Sequence, residues 1–173
     1  WRELEDVASI GRRSGERAVR RLGARKLGTT KVPVLYSPDV ARGLVSHYVG
    51  AIRGGSQYRR ASFLLESAGQ QVFPDWFAIS ERPHLPKALA SAPFDHEGVA
   101  TNDRELVAGG VVLGYVLSTY SARKLGLRTT GNAGGTHNLI VAGRGRDFDD
   151  MLALMGRGLL VTELMGQGVN GVT

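Results

Sequence analysis

The chain has 173 residues, enough for one domain with a real core, and its 42% hydrophobic against 22% charged residues mark it as globular rather than disordered. It has no cysteine, which excludes a disulfide framework and a thiolate metal site and fits a reducing, cytoplasmic setting. No apolar run approaches the roughly 18 residues that a bilayer demands, so no membrane partner is expected. The formal net charge of +6 is unevenly spread: residues 1–31 hold nine Lys/Arg against four Asp/Glu, and the remainder thirteen against twelve. A solvated basic helix accounts for that asymmetry. No stacking aromatics are interleaved with the basic residues, so nucleic acid is not an expected partner.

In chain order, Leu4, Val7, Ala8, Gly11, Gly15, Ala18 and Leu22 recur at three- and four-residue steps opposite Arg12, Arg13, Arg17, Arg20 and Arg21. This spacing predicts an amphipathic helix, read as a connector over residues 1–31 ahead of a domain over 32–173. Val32 to Tyr36 reads as a strand. A second helix follows, with Ser37 as cap, Pro38 at its first position, Asp39 at the positive end of the dipole and Val40, Leu44, Val45, Tyr48 and Ile52 on its buried face. Gly54-Gly55 is expected to stop it.

Gln57 to Glu66 and the aromatic stretch Phe73 to Ile79 read as loop and strand. The three-proline run from Glu81 to Asp95 reads as a long surface loop, a candidate lid or contact. Ala100–Val107 and Val111–Ser118 flank Ala108-Gly109-Gly110, the pattern of a β-hairpin, with Val111, Leu113, Tyr115 and Leu117 expected on the packed face. After a short helical stretch ending at Gly126 come three glycines among Thr129, Thr130, Asn132 and Thr136, and then His137-Asn138. Leu139 to Ala142 reads as a strand. Asp147 reads as the cap of a helix whose Asp149 and Asp150 are explained by helix-start electrostatics rather than catalysis, and Leu159 to Leu164 as a buried strand. Together these predict an α+β fold: mostly antiparallel sheet with three or four helices packed against it. The chain opens on Trp1 and closes at Thr173 just past a glycine-rich turn, ends that read as cuts in a larger two-domain subunit.

Several long pieces in order, GGSQYRRASFLLES, APFDHEGVAT, YSARKLGL with the glycine-rich segment after it, and ELMGQGVN, resemble the carboxy-terminal domain of the TldD/PmbA family, on its PmbA (TldE) side. The resemblance runs from about Lys31 to Thr173. It implies a cytoplasmic metallopeptidase assembly of two related subunits: a TldD-like partner carrying zinc and a PmbA-like subunit pairing with it around short or unfolded peptides. In TldD the second helix carries an H-E-x-x-x-H zinc motif. Aligned through Tyr58-Arg59-Arg60, this chain offers Ser46-His47-Tyr48-Val49-Gly50-Ala51, with serine and alanine at both ligand positions and His47 where the catalytic glutamate would stand. The resemblance therefore implies no cofactor and no catalytic residue in this chain.

Two rivals remain at the level of sequence: a protein-binding module without proteolytic context, and a stand-alone hydrolase assembled in space from His47, His96 and Glu97. Whether the chain pairs with itself when alone is open. Gly131, Gly134 and Gly135 are expected to be needed for backbone geometry, and Asn132, His137 and Asn138 to face the chamber or the partner. Glu163 shares a strand face with Leu159 and Val161, so it is expected to be buried and bonded to Arg123, Lys124, Arg128 or the glycine turn after it. Gly166–Gly171 fits G-x-G-x-x-G, but without an expected helix or ribose-holding acid it reads as a turn.

Overall fold

The computed structural model describes residues 4–166, and among them the fold is α+β. The chain divides into two compact units, one ending at Val32 and one beginning at Pro33. The first is built on helix α1 (Val7–Val19), capped by Asp6, whose carboxylate accepts from the Ser9 N–H at 2.9 Å. None of its residues is buried, and its apolar members Val7 and Val19 are exposed.

The second unit begins with β1 (Val34–Tyr36) and α2 (Pro38–Ala51). The short helix α3 (Gly54–Tyr58) follows, then β2 (Ala78–Glu81), β3 (Arg104–Ala108) and β4 (Val111–Val112). The chain continues through α4 (Thr119–Leu125), β5 (Leu139–Ala142), α5 (Phe148–Met155) and β6 (Leu159–Val161). Four strands form an antiparallel sheet in the order β4-β3-β2-β5, while β1 and β6 pair in parallel as a separate two-stranded sheet. Among the described residues no helix is long and apolar enough to cross a membrane.

Local chemistry places most elements where the sequence suggested. Pro38 starts α2, Ser118 closes a reciprocal capping box with Ser121 on α4, and Gly126 ends α4 in the left-handed conformation at φ 68°. Asp147 caps α5 by accepting from the Asp150 N–H at 2.8 Å. The hairpin turn is Gly109-Gly110, both with positive φ (56° and 77°), which matches the twist of the two strands it joins.

Three details differ from the expectation. Gly54-Gly55 does not stop helical structure but opens α3, because Ile52 and Arg53 already break α2 and turn the chain. The 111–118 stretch does not bury a single face: Leu117 is buried as expected, but so are Val112 and Val116 from the other set, while Leu113 is half exposed. The reason is that β4 ends at Val112, so strict alternation does not extend beyond it. The strand expected over Leu159–Leu164 is only three residues long and partly exposed, since it has a single neighbour, β1.

The core lies between α2 and the four-stranded sheet: Tyr48, Val49 and Ile52 from the helix meet Ile79, Leu106, Val107, Val112 and Val116. Burial pushes the Tyr48 phenol up to about 12, against a smaller opposing effect of the Arg104 charge. Phe73 stands edge-on to Tyr48 with ring centroids 5.1 Å apart and extends the core toward Phe77. Between β2 and β3 the register slips: Ile79 faces Val107, but the next residue, Ser80, faces Glu105. Leu106 is the extra residue of this bulge, so Leu106 and Val107 are both buried.

Gly110 is held against the chain at Phe73–Pro74: a Cβ there would lie 2.2 Å from the Phe73 carbonyl oxygen, at a φ unfavourable to side chains. Gly110→Val is therefore expected to cost several kcal/mol, on the order of the strain and overpacking penalties combined. Urea denaturation should show a lower midpoint, whereas Gly114→Ala, at a position with open space around its Cβ, should leave it nearly unchanged.

Candidate functional site

The bulge that shifts β3 sets Glu81, the last residue of β2, opposite Arg104, the first of β3. The Glu81 side chain is 2% exposed. It accepts from Arg104 Nε at 2.7 Å, from Asn132 Nδ2 at 2.8 Å and from the backbone N–H of His137 at 2.7 Å, and its Oε1 lies 3.1 Å from His137 Nδ1. Burial pushes this carboxyl up, but the His137 N–H, the Arg104 guanidinium and the Asn132 amide outweigh it and hold it below the ordinary carboxylate value. Arg104 donates in addition to the Tyr115 carbonyl at 2.9 Å and to Asn132 Oδ1 at 2.8 Å. Asn132 completes the circuit by donating to the Gly135 carbonyl and accepting from the Thr130 hydroxyl. Every buried side-chain nitrogen and oxygen among the described residues has a partner.

A second buried carboxylate works on the same segment. Asp95, 3% exposed, accepts from the N–H groups of Glu97, Val99 and Ala133 at 2.9–3.0 Å. Burial raises its pKa, but those N–H groups, together with His137 nearby, bring it below the usual range. The His96 N–H returns a bond to the Ala133 carbonyl. Asp95 and Glu81 thus hold the glycine-rich segment from two sides.

This arrangement corrects part of the expectation for that segment. Asn132 is turned inward, because its amide closes the Glu81–Arg104 circuit. Asn138 fastens the 82–103 loop: its Oδ1 accepts from the Ala90 N–H, and its Nδ2 donates to the Arg82 carbonyl and to Ser91 Oγ. His137 opens onto a cleft of about 230 Å³ shared with His96 and Ser91, and Asn132, although buried, borders a neighbouring cleft. Gly131, Gly134 and Gly135 all have positive φ. At Gly131 a Cβ would lie 2.7 Å from the Ala100 carbonyl oxygen, and at Gly134 it would meet the ring of the exposed His96.

Three clefts converge on residues 134–136. The His137 cleft shares Gly134 and Gly135 with a second, of about 350 Å³, lined by Arg53, Tyr58, Tyr120 and Ser121. A third, also about 350 Å³, lies between Arg53, Thr136 and the apolar side chains of Val45, Val49 and Leu139.

The positions of the degenerate zinc motif lie on α2. Ser46 is exposed and its hydroxyl donates to the Arg42 carbonyl at 3.0 Å, while Ala51 is buried. His47 borders a separate cleft with Asp39, Leu44 and Glu163. His96 lies against Gly134, and Glu97 accepts from the Thr119 N–H at the start of α4. No three of the His, Asp and Glu side chains among the described residues come together as a metal site, and His47 and His96 border separate clefts. The donor set on α2 does not suit zinc. His84 is engaged with the Thr101 hydroxyl at 3.0 Å.

Glu163 is not buried. The chain leaves β6 after Val161, so Glu163 follows the strand rather than standing inside it, and it is exposed. The rest of the glycine-rich turn after Gly166 lies outside the described residues. Sequence reasoning did not single out Glu81, Arg104 or Asp95. A signal for Glu81 existed: in a strand Ala78-Ile79-Ser80-Glu81, the glutamate has the parity of the buried Ile79.

The α+β fold of this chain recurs in solved proteins. One classed as a candidate modulator of DNA gyrase from Bacteroides thetaiotaomicron superposes with a TM-score of 0.87 at 30% identity, covering 94% of this chain and 37% of that one. TldE from Thermococcus kodakarensis superposes with a TM-score of 0.70 at 27% identity, over 87% of this chain and 38% of that one. The chain belongs to the PmbA/TldA metallopeptidase C-terminal domain family, whose profile matches residues 29–173. It is 52% identical to the metalloprotease PmbA of Escherichia coli O157:H7 over 171 residues, 99% of this chain, and spans 38% of that relative's length. A PmbA homolog of Haemophilus influenzae is 51% identical over 172 residues, again with 38% of its length covered.

Because the native Glu81 carboxyl titrates below its ordinary value of 4.5, its contribution to stability is complete above that pH and is lost as pH falls through the depressed native value. Glu81→Gln is expected to lower stability at pH 7 by about 3–5 kcal/mol, the cost of leaving Arg104 without its buried partner. It should also flatten the acid limb below pH 4.5 in urea melts taken from pH 3 to 7; an unchanged acid limb would assign the acid sensitivity elsewhere.

Proposed function

We propose that this chain is the carboxy-terminal domain of a zinc-free, non-catalytic subunit of a TldD/TldE-like heteromeric metallopeptidase. It pairs with a TldD-like, zinc-bearing subunit in the cytoplasm and helps to enclose a chamber in which short or unfolded peptides are cut. The observation that carries this reading is the chemistry of α2: at the two ligand positions of the family's zinc helix it offers Ser46, whose hydroxyl is committed to its own helix, and the methyl group of Ala51. Neither can replace an imidazole, and no neighbouring group supplies the missing donors among the described residues. Membership of a metallopeptidase family combined with a helix unsuited to the metal favours a supporting rather than a catalytic role.

The clefts beside the glycine-rich segment suit this role. They are joined end to end through shared residues and lined by hydroxyls, glycine backbone and a few apolar side chains, together with Arg53, Asp95, His96 and His137.

The protein purified alone is expected to carry far less than one zinc per chain by elemental analysis after dialysis and to leave an unfolded protein substrate uncut. Mixed with a TldD-like subunit, it should elute as a larger complex on sizing and support cleavage. About one tightly held zinc per chain, or peptidase activity without the partner, would overturn the reading.

A further inference from the structure

The three joined clefts contain one cation without an internal partner. Arg53 lines both of the larger ones, and its guanidinium meets no acceptor among the described residues. Its Nη2 lies 3.2 Å from where a Cβ on Gly135 would be, so it rests close against the glycine backbone. Two further cations stand at the rim of the same cleft. The Arg59 guanidinium sits over the Tyr58 ring, 5.3 Å from its centroid, and Lys124 Nζ lies 5.7 Å from the Tyr120 ring. No Asp or Glu lines either cleft. Glu97 accepts from the Thr119 N–H at the start of α4, and the buried Glu81 is bound to Arg104 behind Asn132. An anion placed here would gain from all three positive charges in a recess partly shielded from water.

Geometry narrows the anion to a carboxylate on a peptide. A guanidinium fork matches a planar carboxylate in two parallel hydrogen bonds. On the far side of Arg53 the adjoining cleft has a different chemistry: Val45, Val49 and Leu139 form an apolar recess large enough for an aliphatic side chain. A nucleic acid fits less well, because the two tyrosines stand edge to face, at 82°, and offer no parallel platform for stacked bases.

We propose that Arg53 is the anchor of a subsite for the free C-terminal carboxylate of a peptide, whose last, aliphatic side chain enters the recess of Val45, Val49 and Leu139. This deepens the reading of the chain as a peptide-handling subunit and rests on it for biological meaning, but it is a binding property of this chain alone. The test is calorimetric titration of the purified protein with N-acetyl-Ala-Ala-Ala-Leu as free acid, as C-terminal amide, and as an amide with an internal aspartate, with a ten-nucleotide oligothymidylate as competitor. The free acid should bind at least about tenfold tighter than either amide, the effect of one charge-assisted pair. Arg53→Gln should remove that preference and Arg53→Lys should keep part of it, both with an unchanged circular dichroism spectrum.

Equal affinity of acid and amide overturns the proposal on the unaltered protein, whatever the variants do. So does a preference that survives in Arg53→Gln, tighter binding of the internal aspartate, or displacement of the peptide by the oligonucleotide. A protein that assembles with a TldD-like subunit and supports cleavage but shows no acid preference would refute this subsite alone. An acid preference in a protein that never assembles would refute only the subunit reading.

Discussion

The structure turns on one buried carboxylate. Glu81 ends a central strand in a position from which water is excluded, and a charge there is tolerable only because four donor contacts reach it from two separate segments. Each donor is displaced from where regular structure would put it. Arg104 is opposite Glu81 because of the bulge at Leu106, and Asn132 and His137 reach it because the glycine-rich segment doubles back over the sheet edge. The pair would be costly as an isolated salt bridge. Closed into a circuit with Asn132, Tyr115 and Thr130, it fixes strand register and loop path together.

That circuit explains why so long a stretch without helix or strand can be well defined. Residues 82–103 and 126–138 form no regular element beyond one isolated bridge, yet each is fastened to the other. Asp95 gathers three backbone N–H groups, and Asn138 ties the Ala90–Ser91 turn to Arg82. The side chains that looked most available for function in the glycine-rich segment are largely spent on this work. What they leave open is backbone and the imidazole of His137, arranged around three adjoining recesses.

Helix α2 carries both Ser46 and Ala51, with a recess beside it lined by Val45, Val49 and Leu139. Tyr48, Val49 and Ile52 pack on the sheet from one side of α2 and Ala51 is buried with them, whereas Ser46 faces outward, so position 46 is free to change without disturbing the fold but position 51 is not. The basic rim around Tyr58 and Tyr120 is likewise built from exposed side chains on α3 and α4 rather than from the interior.

The sequence by itself determined the local elements and the family. The cap at Asp147, the Gly109-Gly110 turn, the stop at Gly126 and the apolar run of β5 act over a few residues, so their chemistry can be read along the chain. Ser46 and Ala51 were legible only through the resemblance, because alignment to the family's zinc motif places them at its ligand positions. The tertiary structure decided the rest. Whether Glu81 is buried, whether Asn132 points inward and whether Glu163 is exposed depend on a one-residue slip between strands and on where a short strand ends. Such a slip moves whole sets of side chains between faces and leaves no mark on local composition.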